Sequence, residues 1–354
     1  MTVAAPTPIS EIRLTTLHAT RGANFWSTRP VTRMDVAVGA YDHISSADVP
    51  GFVDPLVAAL PGLIEHECSI GERGGFITRL RRGTYAPHIV EHVALELQTM
   101  IGHDVGFGRT RGGDVEGEYT IVFEHRHEQV GLRAAALALE TVQRAFAGTL
   151  SPLHVASAVR ELAALADTPD APAIAQRVTG GITGGSGRAE CIGLLHDALG
   201  PEDDEHLFID VAPAFILYAG LPYARSRLAI VLDTEVPDVP ARYRDPERAR
   251  RLVGTMIDAV ARGGFIVCPA NEPKLLEEAR EAGCRVAVFS TGDLIGEDAL
   301  EVATVVARVR DGAIWVEHCG DGERAGPLRG DLPATSQVAA ALAASVLRDG
   351  GVRR

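Results

Sequence analysis

Val178-Thr179-Gly180-Gly181-Ile182-Thr183-Gly184-Gly185-Ser186-Gly187-Arg188-Ala189-Glu190 is the stretch on which the fold turns, and it reads as a glycine-rich turn from a strand into a helix. Short apolar runs follow at 207–211, 228–232, 264–267 and 286–290, separated by helical periodicity over 246–261 and 274–282. That alternation predicts a parallel, doubly wound sheet, because each parallel return needs a crossover. Residues 336–347 read as one more alanine-rich helix. Upstream the rhythm differs. Alternating runs at 33–38 and 119–124 predict strands, and 53–60, 87–100, 128–146 and 150–165 predict helices. The first part of the chain is therefore expected to be α/β or α+β. The segment 166–172, Ala-Asp-Thr-Pro-Asp-Ala-Pro, cannot continue a helix and reads as a linker.

Composition fits two folded domains. The chain has 354 residues, 46% hydrophobic and 23% charged, with a net charge of −13. Disorder and collagen-like repeats are excluded, and each half is long enough to bury its own core. The acidic balance, with no basic run, argues against a nucleic-acid or membrane-surface partner. Five widely spaced cysteines with no C-x-x-C argue against a disulfide framework or a thiolate zinc site. Residues 1–12 carry neither a basic start nor an apolar core, and no run of about 18 apolar residues occurs, so a cytoplasmic protein is expected.

The most chemically specific motif is His88-Ile89-Val90-Glu91-His92. On a helix, His88 and His92 leave one face a turn apart and can share a tetrahedral ion, with Glu91 on the same side. This is the H-x-x-E-H order of inverted zinc peptidases, in which a carboxylate takes a proton from metal-bound water. Zinc held by His88 and His92, with Glu91 as base, is thus one expectation. A surface helix with two solvated histidines is the other. A third ligand would come from elsewhere. Glu128, at the start of a helix, is the choice, with Glu124 or a histidine as alternatives; eight of the twelve histidines precede residue 150.

Several segments together resemble the N-terminal domain of cyanophycin synthetase. They are Thr20-Arg21-Gly22-Ala23-Asn24-Phe25-Trp26-Ser27, Leu63-Ile64-Glu65-His66-Glu67-Cys68-Ser69, Arg73-Gly74-Gly75-Phe76, residues 88–98 and Gly106-Phe107-Gly108-Arg109-Thr110-Arg111. The resemblance covers about residues 12–148. It implies binding of a multi-Arg-Asp polymer and, in some members, a metallopeptidase-like site that cuts it. It also suggests that Arg109 and Arg111 pair with substrate carboxylates. Trp26 and Phe76 are expected to be packing residues.

The glycine-rich stretch stands where Mur ligases carry their phosphate loop. The second domain accordingly resembles a truncated Mur-ligase central domain, with no room for an ATP-grasp domain before it. Arg188 and Ala189 replace the lysine and the hydroxyl residue that such a loop needs, so Gly184, Gly187 and Arg188 are expected to form a degenerate loop and ATP use is not expected. Cys191 and Cys268 are expected to be small buried residues. The resulting expectation has a cyanophycin-synthetase-like domain over 1–150, a helical connector over 151–174 and a Mur-ligase-like P-loop-type domain over 175–354. Its function would be zinc-dependent hydrolysis of an Asp/Arg polymer and not ATP-dependent ligation. The alternative is a non-catalytic polymer-binding or regulatory partner of a complete synthetase. A homo-oligomer, commonly a dimer, is expected in either case.

Overall fold

A computed structural model describes residues 7–200, 206–318 and 321–350. Cys319 and residues 1–6 of the segment read for a targeting signal lie outside the described residues. The chain divides into two units, residues 1–21 with 29–173, and residues 22–28 with 174–354.

The first unit is α+β. Its strands are β1 (Arg13–Ala19), β2 (Val31–Ala37), β3 (Gly108–Gly112) and β4 (Glu118–Glu124), in the order β1-β2-β4-β3. All neighbours are antiparallel. The helices Ala86–Thr99, Glu128–Phe146 and Pro152–Ala166 accompany the sheet. Met34, Val36, Ile121 and Phe123 from the strands share one buried core with Ile89, Val90, Val93 and Leu97 and with Ala134, Ala138 and Val142. The Glu128–Phe146 helix begins where His127 accepts a hydrogen bond from the backbone of Val130 and Asp170 accepts one from the backbone of Glu128, both meeting orphan donors of the first turn. Sequence periodicity missed β1 and β3. A register shift between Leu14 and Thr16 breaks the alternation of β1, and β3 reads Gly-Arg-Thr-Arg-Gly with no apolar side chain.

Among the described residues the second unit has eight strands: β5 (Arg177–Thr183), β6 (Phe208–Asp210), β7 (Arg225–Val231), β8 (Val260–Pro269), β9 (Arg285–Phe289), β10 (Ala303–Arg310), β11 (Ala313–His318) and β12 (Asp321–Pro327). Their order is β12-β11-β10-β9-β8-β7-β5-β6. From β6 to β10 every pair is parallel, and β10, β11 and β12 run antiparallel. Ile182, Leu228, Ile230, Val267 and Ala287 pack with Val338, Leu342 and Val346 of the last helix, Ala334–Gly350. The α/β class with a parallel-rich sheet is the one expected.

Two local readings need correction. The helix expected over 246–261 ends at Gly254, passes through a 3-10 turn Thr255–Ala259 and becomes β8 at Val260. The β10 to β12 meander went unread, although Asp311-Gly312 marks its first turn. Both residues have positive φ, 49° and 69°, as a two-residue hairpin requires. Cys191 and Cys268 are buried and free, and burial pushes both thiols up, that of Cys191 to about 12.

Residues 22–28 are read by sequence as part of the first domain, but they belong to the second unit. The backbone N–H of Leu221 donates to the carbonyl of Ala23 at 2.8 Å, and Phe25 and Trp26 meet Tyr243 edge-on, with ring centroids 5.4 and 6.0 Å away. Trp26 is thus a packing residue of the second unit.

Candidate functional site

Pro87 stands in the first turn of the Ala86–Thr99 helix, where its missing N–H has no intrahelical partner to lose. The helix is buried along most of its length, so the solvated surface helix is not what forms. His88, Glu91, His92, Leu95, Glu96 and Thr99 recur at helical spacing along one side of a cavity of about 950 Å³. The same cavity is lined by Cys68, Arg79, Gly108, Arg109, Thr110 and Arg111. A Cβ on Gly108 would lie 2.7 Å from Oε1 of Glu91, so a larger residue here would require the Glu91 side chain to shift.

The polar contacts form two linked sets. His88 bridges Thr84 Oγ1, 2.9 Å from its Nδ1, and Cys68 Sγ, 3.4 Å from its Nε2. His92 Nδ1 lies 2.8 Å from His66 Nδ1, and the other ring nitrogen of His66 lies 3.4 Å from Glu96 Oε2. Phe76 stacks on His92 with centroids 3.8 Å apart, which fixes the ring plane. Donor atoms of Cys68, His88 and His92 come within 4.8 Å of one another.

Burial dominates the electrostatics. His92 is 6% exposed, and burial with two neighbouring histidines pushes it down to about 2. His88 is lowered to about 4, again mainly by burial. Burial also raises Glu91 to about 7, against the Thr110 hydrogen bond and the charges of Arg109 and Arg111. Near neutrality Glu91 can therefore either donate or accept a proton. Thr110 Oγ1 donates to Glu91 Oε2 at 2.5 Å. Thr110→Val is expected to lower stability by about 1 kcal/mol and to raise the Glu91 titration further, as read by urea unfolding between pH 5 and 9.

Glu128 does not join this group. Its carboxylate takes a two-point contact from Arg21, with Nε to Oε2 at 2.6 Å and Nη2 to Oε1 at 3.3 Å. Glu124 is held by Arg29 at 2.9 Å. Sequence reasoning left Cys68, Thr110 and Glu96 unread and His66 undistinguished. Glu96 alone carried a local signal, lying four residues after His92 on the same helix face.

In the second unit Gly184 and Gly187 have φ of 139° and 77°, and Gly187 caps the helix Arg188–Leu199. Arg188 Nε donates to Asp210 Oδ1 at 2.6 Å, and its Nη1 donates to the carbonyl of Gly184. The guanidinium thus ties the loop to the end of β6.

Comparison with known proteins places the first unit. Residues 33–147 match the family profile described as a cyanophycin synthase-like N-terminal domain. Over 123 residues the chain is 48% identical to a cyanophycin synthetase of Synechocystis sp., covering 34% of this chain and 14% of that protein. A cyanophycin synthetase of Crocosphaera subtropica is 50% identical over 123 residues, 34% of this chain and 14% of that one. The matched stretch is thus about a seventh of those relatives' length.

Two solved structures from Acinetobacter baumannii show a fainter likeness, each at 12% identity. The first is a UDP-N-acetylmuramoylalanyl-D-glutamyl-2,6-diaminopimelate--D-alanyl-D-alanyl ligase, with a TM-score of 0.32, covering 49% of this chain and 43% of that one. The second is MurF, with a TM-score of 0.33, covering 67% of this chain and 50% of that one. The parallel sheet is established by its own strand order, and these likenesses add nothing about activity.

The relatives' names correct the expected chemistry. They are synthetases, so a zinc-dependent hydrolase, zinc as its cofactor, and the exclusion of ATP and of ATP-dependent ligation are all overturned. The names do not favour a non-catalytic partner either. The convergence of Cys68, His88 and His92 remains as geometry within the pocket. What the comparison shows is that residues 33–147 are similar to a cyanophycin synthase-like N-terminal domain.

Proposed function

We propose that this chain acts in the ATP-dependent synthesis of cyanophycin or a related Asp/Arg polymer, with the first unit holding the polymer. The observation that carries this is the two-sign lining of the 950 Å³ pocket, to which Arg79, Arg109 and Arg111 contribute together with Glu65, Glu67 and Glu96. A chain bearing alternate carboxylates and guanidinium groups finds partners of both signs there. The Ala86–Thr99 helix and β3 set these groups on regular elements, which limits their freedom before binding. Glu91 lies among them with a carboxyl that changes protonation near pH 7.

Among the described residues no helix is long and apolar enough to cross a membrane. Synthesis from ATP and free amino acids suits the cytoplasm, and a homo-oligomer, commonly a dimer, is the assembly proposed.

The test incubates the full chain with ATP, Mg²⁺, aspartate, arginine and a short Asp/Arg oligomer, and follows ADP release and oligomer mass. Growth coupled to ADP supports a synthetic role. An oligomer that neither grows nor binds overturns it. Arg111→Ala is expected to weaken oligomer binding about tenfold, the loss of one charge-assisted contact, as read by calorimetry.

A further inference from the structure

Outside the lining of the 950 Å³ pocket, the turn after β2 and the turn between β3 and β4 bring a second set of donor atoms together. A carboxylate oxygen from each of Asp42 and Glu116 and a ring nitrogen of His43 lie within 4.8 Å of one another, all in the first unit. His43 and Glu116 are exposed, and Asp42 is half-buried.

The backbone fixes both segments. Asp42 and His43 end the 3-10 turn Gly39–His43, whose start is held where the N–H of Ala40 donates to Glu11 Oε2 at 3.0 Å. Glu116 stands in the tip closed by the N–H of Glu118 donating to the carbonyl of Val115 at 3.1 Å, with Gly117 at φ 78° supplying the left-handed step of that turn. One bond joins the two turns directly, from the N–H of Val38 to the carbonyl of Gly117 at 2.9 Å. Tyr119 OH also donates to Asp42 Oδ1 at 2.6 Å, which locks that carboxylate as an outer hydrogen bond does in a metal site. Donors held this way lose little freedom on binding.

Charge points the same way. Glu65, Glu124, Glu128 and Glu161 of this unit each hold an arginine, whereas among the described residues neither Asp42 nor Glu116 pairs with an arginine or lysine. The Asp42 hydrogen bond, partial burial and the charges of Asp42 and Glu116 push the Tyr119 phenol up to about 12, so negative potential collects here. A cation offsets it.

The donor set selects among cations. Ca²⁺ and Mg²⁺ take oxygen ligands, so an imidazole nitrogen suits them poorly. Structural zinc closes its site with four protein ligands, commonly with sulfur among them. One nitrogen, two carboxylates and positions open to water suit Mn²⁺.

We propose that Asp42, His43 and Glu116 bind a divalent cation of the manganese class, with water completing its coordination. The site stands independently of the polymer role of the pocket.

The probe is Mn²⁺ added to the untagged full chain, with the free ion followed by its electron paramagnetic resonance signal. A saturable loss of that signal is expected, half-complete below about 1 mM Mn²⁺. His43→Ala and Glu116→Gln, both at exposed positions whose loss disturbs no packing, should each weaken binding at least about tenfold. Ca²⁺ in about tenfold excess should leave most of the Mn²⁺ bound, because the imidazole favours the transition metal. Absence of saturable loss, wild-type affinity in both variants, or displacement by equimolar Ca²⁺ overturns the site.

Discussion

Glu91→Gln is expected to stabilise the protein by about 3 kcal/mol at pH 8 and to leave it unchanged at pH 4. The carboxyl is 7% exposed, and burial raises it to about 7 from an ordinary value near 4.5. Between those values the folded state holds a proton that the unfolded chain has released, so stability falls as pH rises through that window. Every tenfold difference in proton affinity between the folded and unfolded chain is worth about 1.4 kcal/mol, which gives the figure above. Glutamine keeps the shape and an acceptor for Thr110 but has no charge to bury. Urea unfolding at the two pH values reads the difference directly. A variant no more stable than wild type at pH 8 would show that Glu91 carries no such burden. The sign is opposite for His125, which is buried and lowered to about 4 mainly by burial. Its unfolded form takes up a proton first as pH falls below 6.5, so it contributes to acid unfolding.

Gly22→Ala is expected to cost about 4 kcal/mol and to shift Trp26 emission to the red. A Cβ at this position would lie 2.3 Å from the carbonyl oxygen of Leu221, a backbone atom with little freedom to give. The bond from Leu221 to Ala23 is the one that seats the 22–28 loop. Displacing the loop uncovers Phe25 and Trp26, each 6% exposed, and a buried aromatic side chain contributes about 2 kcal/mol. Chemical unfolding of the variant beside its emission spectrum checks this. Wild-type stability with an unshifted spectrum would contradict the anchoring seen here.

Part of the candidate site was legible in the order of residues. His88, Glu91 and His92 fall on one face because a helix turns once in 3.6 residues, and that needs no knowledge of the fold. Their chemistry was not legible. A motif of two histidines and a carboxylate reads as a metal site in isolation, whereas the named relatives of this unit are synthetases. Cys68 and His66 reach the pocket from the 3-10 turns Cys68–Ile70 and Pro61–Glu65 and the residue that follows the latter, segments with no periodicity of their own. β3 was hidden for a related reason. An edge strand need bury little, so its sequence need not alternate.

Residue order was enough for the parallel sheet of the second unit and the buried helices of the first, because these depend on apolar spacing within one element. The remaining features arise only when the chain is folded. Folding moved Glu128 to Arg21 and away from His92, and it assigned residues 22–28 to the second unit. It also set Glu91 near neutrality. Each of these is a sum over groups distant in the chain, and local pattern carries no record of such a sum.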